Sequence, residues 1–206
     1  MKITTLLAVV AAVLLAGCGG ARSWREEVLQ PDKQIVVIQR YDDLGNILDQ
    51  EPGNWEFGPP VVGFRLRIPD RSWSGVTWES GPHLIPLALG VKGSQLYLAA
   101  IPNTCAAYDQ FGRPVPPYVF FKHDGKEWQR IPVEEFPEDI KTTNLLQGTR
   151  NFDARKEIDT GYVTADAVKR INRSLSSHLR NIFRSGTKGK EGCIWELEQL
   201  DRNRRN

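Results

Sequence analysis

The amino-terminal apolar segment decides how much of this 206-residue chain is available to fold. Met1-Lys2 gives a positively charged start, and residues 3–16 follow it without a charged side chain. The run is shorter than the roughly twenty apolar residues that a membrane-spanning helix needs. A charged start, a short apolar stretch and then small residues are typical of a secretory signal. The glycines that follow the run disfavour the alternative, a buried core helix. We therefore expect residues 1–17 to be removed.

The end of this segment carries a recognisable motif, Leu15-Ala16-Gly17-Cys18. It resembles the lipobox of bacterial lipoproteins at every position. The resemblance implies diacylglyceryl transfer to the Cys18 thiol, cleavage before this residue, and acylation of the new amino group by a fatty acid such as palmitate. A single chain binds a membrane only reversibly, so two or three chains are expected to anchor the protein firmly. Because Gly19 rather than Asp follows, the resemblance implies the outer membrane, facing the periplasm, in a Gram-negative host.

A second resemblance lies beyond the cysteine. The motifs are Trp24 to Val28, Pro116 to Phe121, Trp128, Ile131-Pro132 and Glu134 to Pro137. This pattern is similar to that of proteobacterial lipoproteins of unknown function. It implies no site residue.

The mature chain is expected to form one domain. We predict a linker over residues 18–23, a single mainly β domain over 24–200, and a disordered charged tail over 201–206. The fold expected is an antiparallel, sandwich-like sheet structure. Val61 to Ile68 alternates, with Phe64, Leu66 and Ile68 on one face and two arginines on the other, as in a half-buried strand.

Three hairpins are predicted. Pro31-Asp32-Lys33 joins two strands, and Lys92-Gly93-Ser94 joins two strands apolar enough to be covered on both faces. Asp124-Gly125 predicts a two-residue type I′ turn. That turn would place Lys122 opposite Glu127 and Phe121 opposite Trp128.

The carboxyl-terminal third predicts a helix and then a strand. Thr164 is the expected N-cap of an amphipathic helix over about 165–184, ended by Gly186. Its apolar stripe consists of Val168, Ile171, Leu175, Leu179, Ile182 and Phe183. A last strand is predicted over about 193–199.

Two cysteines remain once Cys18 carries lipid. Export places Cys105 and Cys193 in a compartment where disulfides persist, and we predict a bridge between them. The alternative is two free thiols.

No catalytic, metal-binding or cofactor-binding signature is found. His83, His123 and His178 lie far apart, without the spacing of a zinc site, and we expect His123 to be solvated. Neither a nucleophile elbow nor a phosphate-binding loop occurs. The acid pairs Glu134-Glu135 and Glu138-Asp139 are predicted to be surface residues, although a glycosidase pair remains open as an alternative.

Six tryptophans are the most suggestive feature of the mature chain. Most are expected to build the core. Trp55 and Trp73 lie in loop-like stretches and are the candidates for a binding surface.

Charge limits the choice of partner. The chain has 27 basic and 25 acidic residues, so no nucleic acid is expected. The predicted helix has four cations, Lys169, Arg173, Arg180 and Arg184. We expect them to be solvated, and the alternative is that they bind the phosphates of anionic lipid. We expect a non-enzymatic envelope protein that binds a periplasmic or membrane-near protein, in the manner of an inhibitor or immunity protein. The alternative is a hydrolase of envelope polymer.

Overall fold

A computed structural model describes residues 22–44, 61–69, 73, 75–81, 83–149, 151–185 and 193 of the chain. The elements within these residues are β1 Arg22–Leu29, β2 Ile35–Leu44, β3 Val61–Ile68, β4 Val76–Glu79, β5 Leu84–Lys92, β6 Gln95–Pro102, α1 Cys105–Gln110, β7 Val119–His123, β8 Trp128–Ile131, a 3-10 turn Val133–Glu135, α2 Phe152–Ile158, β9 Tyr162–Val163, α3 Ala165–Asn172 and α4 Ser177–Arg180. The mainly β prediction is confirmed.

The strands form two sheets. The first has the order β4-β3-β2-β1-β9, and only β9 within it runs parallel to its neighbour, β1. The second has the order β5-β6-β7-β8 and is antiparallel throughout. The first strand begins at Arg22, so the predicted linker over 18–23 is wrong in its last two residues.

The core lies between the sheets. Phe64, Leu66 and Ile68 of β3 contact the same cluster as Leu96 and Leu98 of β6. Arg65 and Arg67 are exposed on the opposite face of β3, which confirms the predicted alternation. The second sheet is also covered on its far side, where Tyr97, Phe120, Phe136 and Ile140 pack together. This explains why β5 and β6 are apolar along nearly their whole length.

Side-chain amides cover the free edge of β5. Asn144 Oδ1 accepts from Leu89 N at 2.9 Å, and Gln30 Oε1 accepts from Val91 N at 2.8 Å. Asn144 Nδ2 also donates to Leu29 O of the first sheet at 3.0 Å. These contacts satisfy edge groups that would otherwise pair with another chain, and they join the two sheets.

The β7–β8 hairpin differs from its predicted register. His123 pairs with Trp128, and Lys122 pairs with Gln129. A type I′ turn requires positive φ at both central residues, but only Gly125 has it, at 100°. Asp124 instead accepts from the Lys126 and Glu127 amides at 2.8 and 3.0 Å through its own carboxylate, which produces a four-residue loop.

The predicted long carboxyl-terminal helix is two short helices. Thr164 caps α3 as expected, accepting from Ala167 N at 3.2 Å. The helix ends after Asn172, where Ser174 N and Leu175 N donate to the carbonyls three residues earlier, Ile171 O and Asn172 O, at 3.4 and 3.2 Å. The buried Asn172 side chain bonds Gln147 N at 3.1 Å and Leu145 O at 2.9 Å in the core. The predicted last strand is wrong at its first residue, since Cys193 is helical; residues 194–199 lie outside the described residues.

We expect Gly90→Ala to lower the free energy of unfolding. A Cβ at this position would lie 1.9 Å from Ile140 Cδ1, and overpacking of this kind costs about 1–3 kcal/mol. Denaturant unfolding measures the loss. The double variant Gly90→Ala/Ile140→Val lacks the clashing methyl group and should regain part of the lost free energy of unfolding. If the loss in the double variant equals the sum of the losses in the two single variants, this packing is contradicted.

Candidate functional site

The residues predicted as site residues are not brought together. Cys18 and Trp55 lie outside the described residues. Trp73 is half-buried, packs against the core between the sheets, and donates its indole N–H to Ser94 O at 3.3 Å. Its ring is therefore largely engaged within the protein.

The predicted disulfide is present. Cys105 and Cys193 are bonded, with their Cα atoms 5.0 Å apart and a sequence separation of 88 residues. The bridge lies beside buried Tyr108 and fastens the carboxyl-terminal part of the chain to α1.

Three charged side chains lie on the inner face of the first sheet, beyond the apolar core. They are Glu26 of β1 and Arg40 and Asp42 of β2, which we call the buried charge cluster. Alternation accounts for their position. Trp24, Glu26 and Val28 point inward together, as do Ile38, Arg40 and Asp42. The same alternation could have revealed the cluster in the sequence.

Glu26 and Arg40 bind one another and one backbone unit. Arg40 Nη1 lies 3.2 Å from Glu26 Oε2 and donates to Leu146 O at 3.1 Å. Glu26 Oε1 accepts from Leu146 N at 2.7 Å, and Oε2 accepts from the Trp24 indole at 2.8 Å. The pair thus binds both polar groups of Leu146. Both side chains are fully buried, so the pair holds the structure together and does not present a surface to a ligand.

Asp42 completes the cluster less tightly. Its Oδ1 lies 4.0 Å from Arg40 Nη2, and neither atom has a hydrogen-bond partner among the described residues. Burial raises the pKa of the Asp42 carboxyl; the Arg40 charge and a hydrogen bond from Thr149 oppose the shift only in part.

The outer face of the first sheet is the exposed surface with the clearest chemistry. We define it by the outward residues of β1–β4 and β9, which include Arg25, Arg65, Arg67, Tyr41 and Tyr162. Register places Arg25, Gln39 and Arg67 side by side across three strands. The Arg25 guanidinium lies 5.1 Å from the Tyr162 ring centre, and that of Arg65 lies 5.8 Å from the Tyr41 ring centre.

The carboxylates described on this face already have partners. Glu79 pairs with Arg65 at 2.7 Å. Glu27 accepts from the Tyr162 hydroxyl at 2.8 Å and from Ala165 N at 2.9 Å. Within the described part of the chain, Arg25 and Arg67 pair with no carboxylate. Guanidinium groups in this state can bind phosphate or carboxylate oxygens from outside.

The other candidates from sequence lie elsewhere. Among the acid pairs, Asp139 binds Lys92 at 2.6 Å, which lowers the pKa of this carboxyl, and Glu138 lies 3.9 Å from Arg184. Of the helix cations, Lys169, Arg173 and Arg180 are exposed. The prediction that His123 is solvated is wrong. Its ring is buried against Trp128, and Nδ1 accepts from Gly125 N at 3.1 Å.

Neither a metal cluster nor a membrane-spanning helix occurs in the described residues. They contain no group of three or more His, Cys, Asp and Glu side chains suited to a metal ion. None of their helices is long and apolar enough to cross a membrane.

Comparisons with known proteins gave no match: no family model, no curated protein and no solved structure is significantly similar to this chain.

The double variant Cys105→Ser/Cys193→Ser should be less stable than the wild type. Closing a loop of this length stabilises by about 4 to 5 kcal/mol in the chain-entropy model, and real bridges often give less. Thermal unfolding with and without reductant measures the effect. Reductant should lower the melting temperature of the wild type and leave the variant unchanged; equal responses would contradict the bridge.

Asp42→Asn tests the buried charge cluster through pH. A raised pKa in the folded state means that protonation of Asp42 favours folding, and this contribution to stability is largest below the ordinary pKa of 3.8. This contribution is lost as the pH rises through the folded pKa. We expect the stability of wild type relative to Asp42→Asn to fall over that range, as measured by denaturant unfolding. Exposed Asp159→Asn is the matched control, and a difference that rises with pH would refute the assignment.

Proposed function

We propose that this chain is a lipid-anchored cell-envelope protein whose domain acts by binding and not by catalysis. The observation that carries the proposal is Leu15-Ala16-Gly17-Cys18 at the end of a charged, then apolar, segment. In this reading Cys18 becomes the first residue of the mature protein, and its acyl chains hold it in the bilayer.

The folded domain supports this location in two ways. The Cys105–Cys193 bridge fits an oxidising compartment outside the cytoplasm. The first strand begins at Arg22, so only three residues separate the proposed anchor from the sheet. With Gly19 after the cysteine, we propose the periplasmic side of the outer membrane if the host is Gram-negative.

A binding role is favoured by where the charged groups lie. The buried charge cluster is closed to solvent and occupied by the Leu146 backbone, whereas the exposed arginines are spread over a broad sheet face. An open face of this kind suits contact with a macromolecular surface better than the enclosure of a small substrate. The partner proposed is membrane-near or periplasmic.

Expression of the full chain in a Gram-negative bacterium tests the anchor. The wild type should fractionate with membranes, and its mature form should begin at an acylated Cys18, as read by intact mass. Cys18→Ser should remain unprocessed and carry no acyl chain. The control Cys105→Ser/Cys193→Ser should still be acylated, because it removes two thiols but not the lipobox. A wild-type protein cleaved elsewhere, or free of lipid, would overturn the proposal.

Binding and catalysis are separated by a second measurement. Purified acylated protein should leave peptidoglycan and phospholipid unchanged, whereas crosslinking in intact envelopes should join it to a defined neighbour. Hydrolysis of peptidoglycan or of phospholipid by the purified protein would reverse the assignment in favour of a hydrolase.

A further inference from the structure

Strand direction fixes which end of the domain meets the anchor. β1 and β3 begin, and β2 and β4 end, at the same end of the first sheet, the one that contains Arg22; we call it the anchored edge. Four residue steps from Cys18 to Arg22 span at most about 14 Å when extended. An acylated Cys18 therefore keeps this edge within that distance of the bilayer surface.

The two faces of the first sheet differ in what covers them. The second sheet packs on the inner face, and packed sheets lie about 10 Å apart. The outer face has exposed side chains in every described strand from β1 to β4. The domain can therefore rest on a membrane with this face down, and the short tether permits that arrangement.

The chemistry of the outer face matches a phospholipid surface. Arg25 and Arg67 supply cations from two strands, and guanidinium groups bind phosphate oxygens in pairs. Arg65 lies beside Arg67 on the same face of β3, where Glu79 offsets part of its charge. Tyr41 and Tyr162 stack on two of these arginines, and amphipathic rings of this kind favour the zone between water and acyl chains.

Two apolar side chains extend the outer face away from the anchored edge. Leu29 and Ile35 are direct neighbours in the β1–β2 register and are 41% and 51% exposed. An adjacent exposed pair of this size on the face that bears the arginines gives it an apolar as well as a cationic part.

From these observations we infer that the outer face of the first sheet lies on an anionic phospholipid surface, with Arg25 and Arg67 bound to headgroup phosphates and Arg65, paired with Glu79, beside them. The inference rests on the proposed acylation of Cys18. It assigns the partner of this face as the bilayer that holds the anchor, and it leaves the second sheet directed away from the membrane.

Fluorescence quenching in reconstituted vesicles tests the orientation. The acylated, bridged protein has no other thiol, because its three cysteines are used, so a cysteine introduced by Gln39→Cys can be labelled alone. Gln39 lies between Arg25 and Arg67 on the outer face. Gln129→Cys places the same label on β8 of the second sheet, where the residue is exposed. Quencher-bearing phosphatidylglycerol vesicles should quench the Gln39 label severalfold more than the Gln129 label.

The arginines are tested by a matched pair of variants. Arg25→Gln/Arg65→Gln/Arg67→Gln should reduce the population of this orientation roughly a hundredfold, since each arginine near an anionic surface contributes severalfold. The Gln39 label should then be quenched no more than the Gln129 label. Lys169→Gln/Arg173→Gln/Arg180→Gln removes the same charge from exposed positions in and beside α3 and α4 and should change neither signal. Phosphatidylcholine vesicles should likewise abolish the extra quenching of the Gln39 label in the wild type. So should salt at about 1 M, where the screening length shortens to about 3 Å.

Equal quenching of the two labels in the wild type, or an equal loss in both triple variants, overturns the inference. Acylation is confirmed by mass before reconstitution, so a failure of the proposed anchor appears at that step and not in the quenching.

Discussion

The buried pair Glu26–Arg40 is the interaction on which the arrangement of the two sheets depends. Between them, these side chains bind the N–H and the carbonyl of Leu146. Removing one partner of a buried ion pair costs several kcal/mol, because it leaves an uncompensated charge in the interior. The backbone at Leu146 is therefore tied to the first sheet at both of its polar groups, and changing either Glu26 or Arg40 alone would leave its partner's charge buried.

That attachment positions the residues on either side of Leu146. Asn144 bridges Leu29 of the first sheet and Leu89 of the second, and Gln147 donates to Pro86 O at 2.7 Å. The inner face of the first sheet is thereby divided. Its apolar part receives the second sheet, and its polar part receives residues 144–149, with Trp24 packed among the side chains of α2 and α3. Among the described residues, the cover lies on one side of the sheet, and the outer face has exposed side chains.

The strands were predictable from sequence because alternation is a local signal. Phe64, Leu66 and Ile68 alternate with arginines in a way that no helix would produce. The division of the carboxyl-terminal helix was not predictable, because the last residue of α3, Asn172, is held in the core by bonds to residues 25 and 27 positions earlier in the chain, which a local apolar stripe does not reveal. The predicted β7–β8 register is wrong for a local reason. An Asx-type turn at Asp124 replaces the type I′ turn that Asp-Gly favours.

The candidate surface was only partly visible in the sequence. Arg65 and Arg67 could be placed on an exposed face, but their neighbours Arg25, Tyr41 and Tyr162 come from three other strands. Only the observed register joins them. Trp55 and Trp73 are binding candidates that sequence alone can suggest one at a time, whereas the outer face consists of residues that form a surface only through sheet pairing.

A tether changes how strong such a surface has to be. A free protein with three exposed arginines would bind a membrane weakly, since each contributes about 1 kcal/mol near an anionic surface. The proposed anchor, three residues from the first strand, would make the same contacts intramolecular, at a high effective concentration. Weak contacts then suffice to orient the domain. In the proposed arrangement the anchor and the outer face thus have separate roles: the acyl chains would supply affinity for the membrane, and the arginines would decide which side of the sheet faces it.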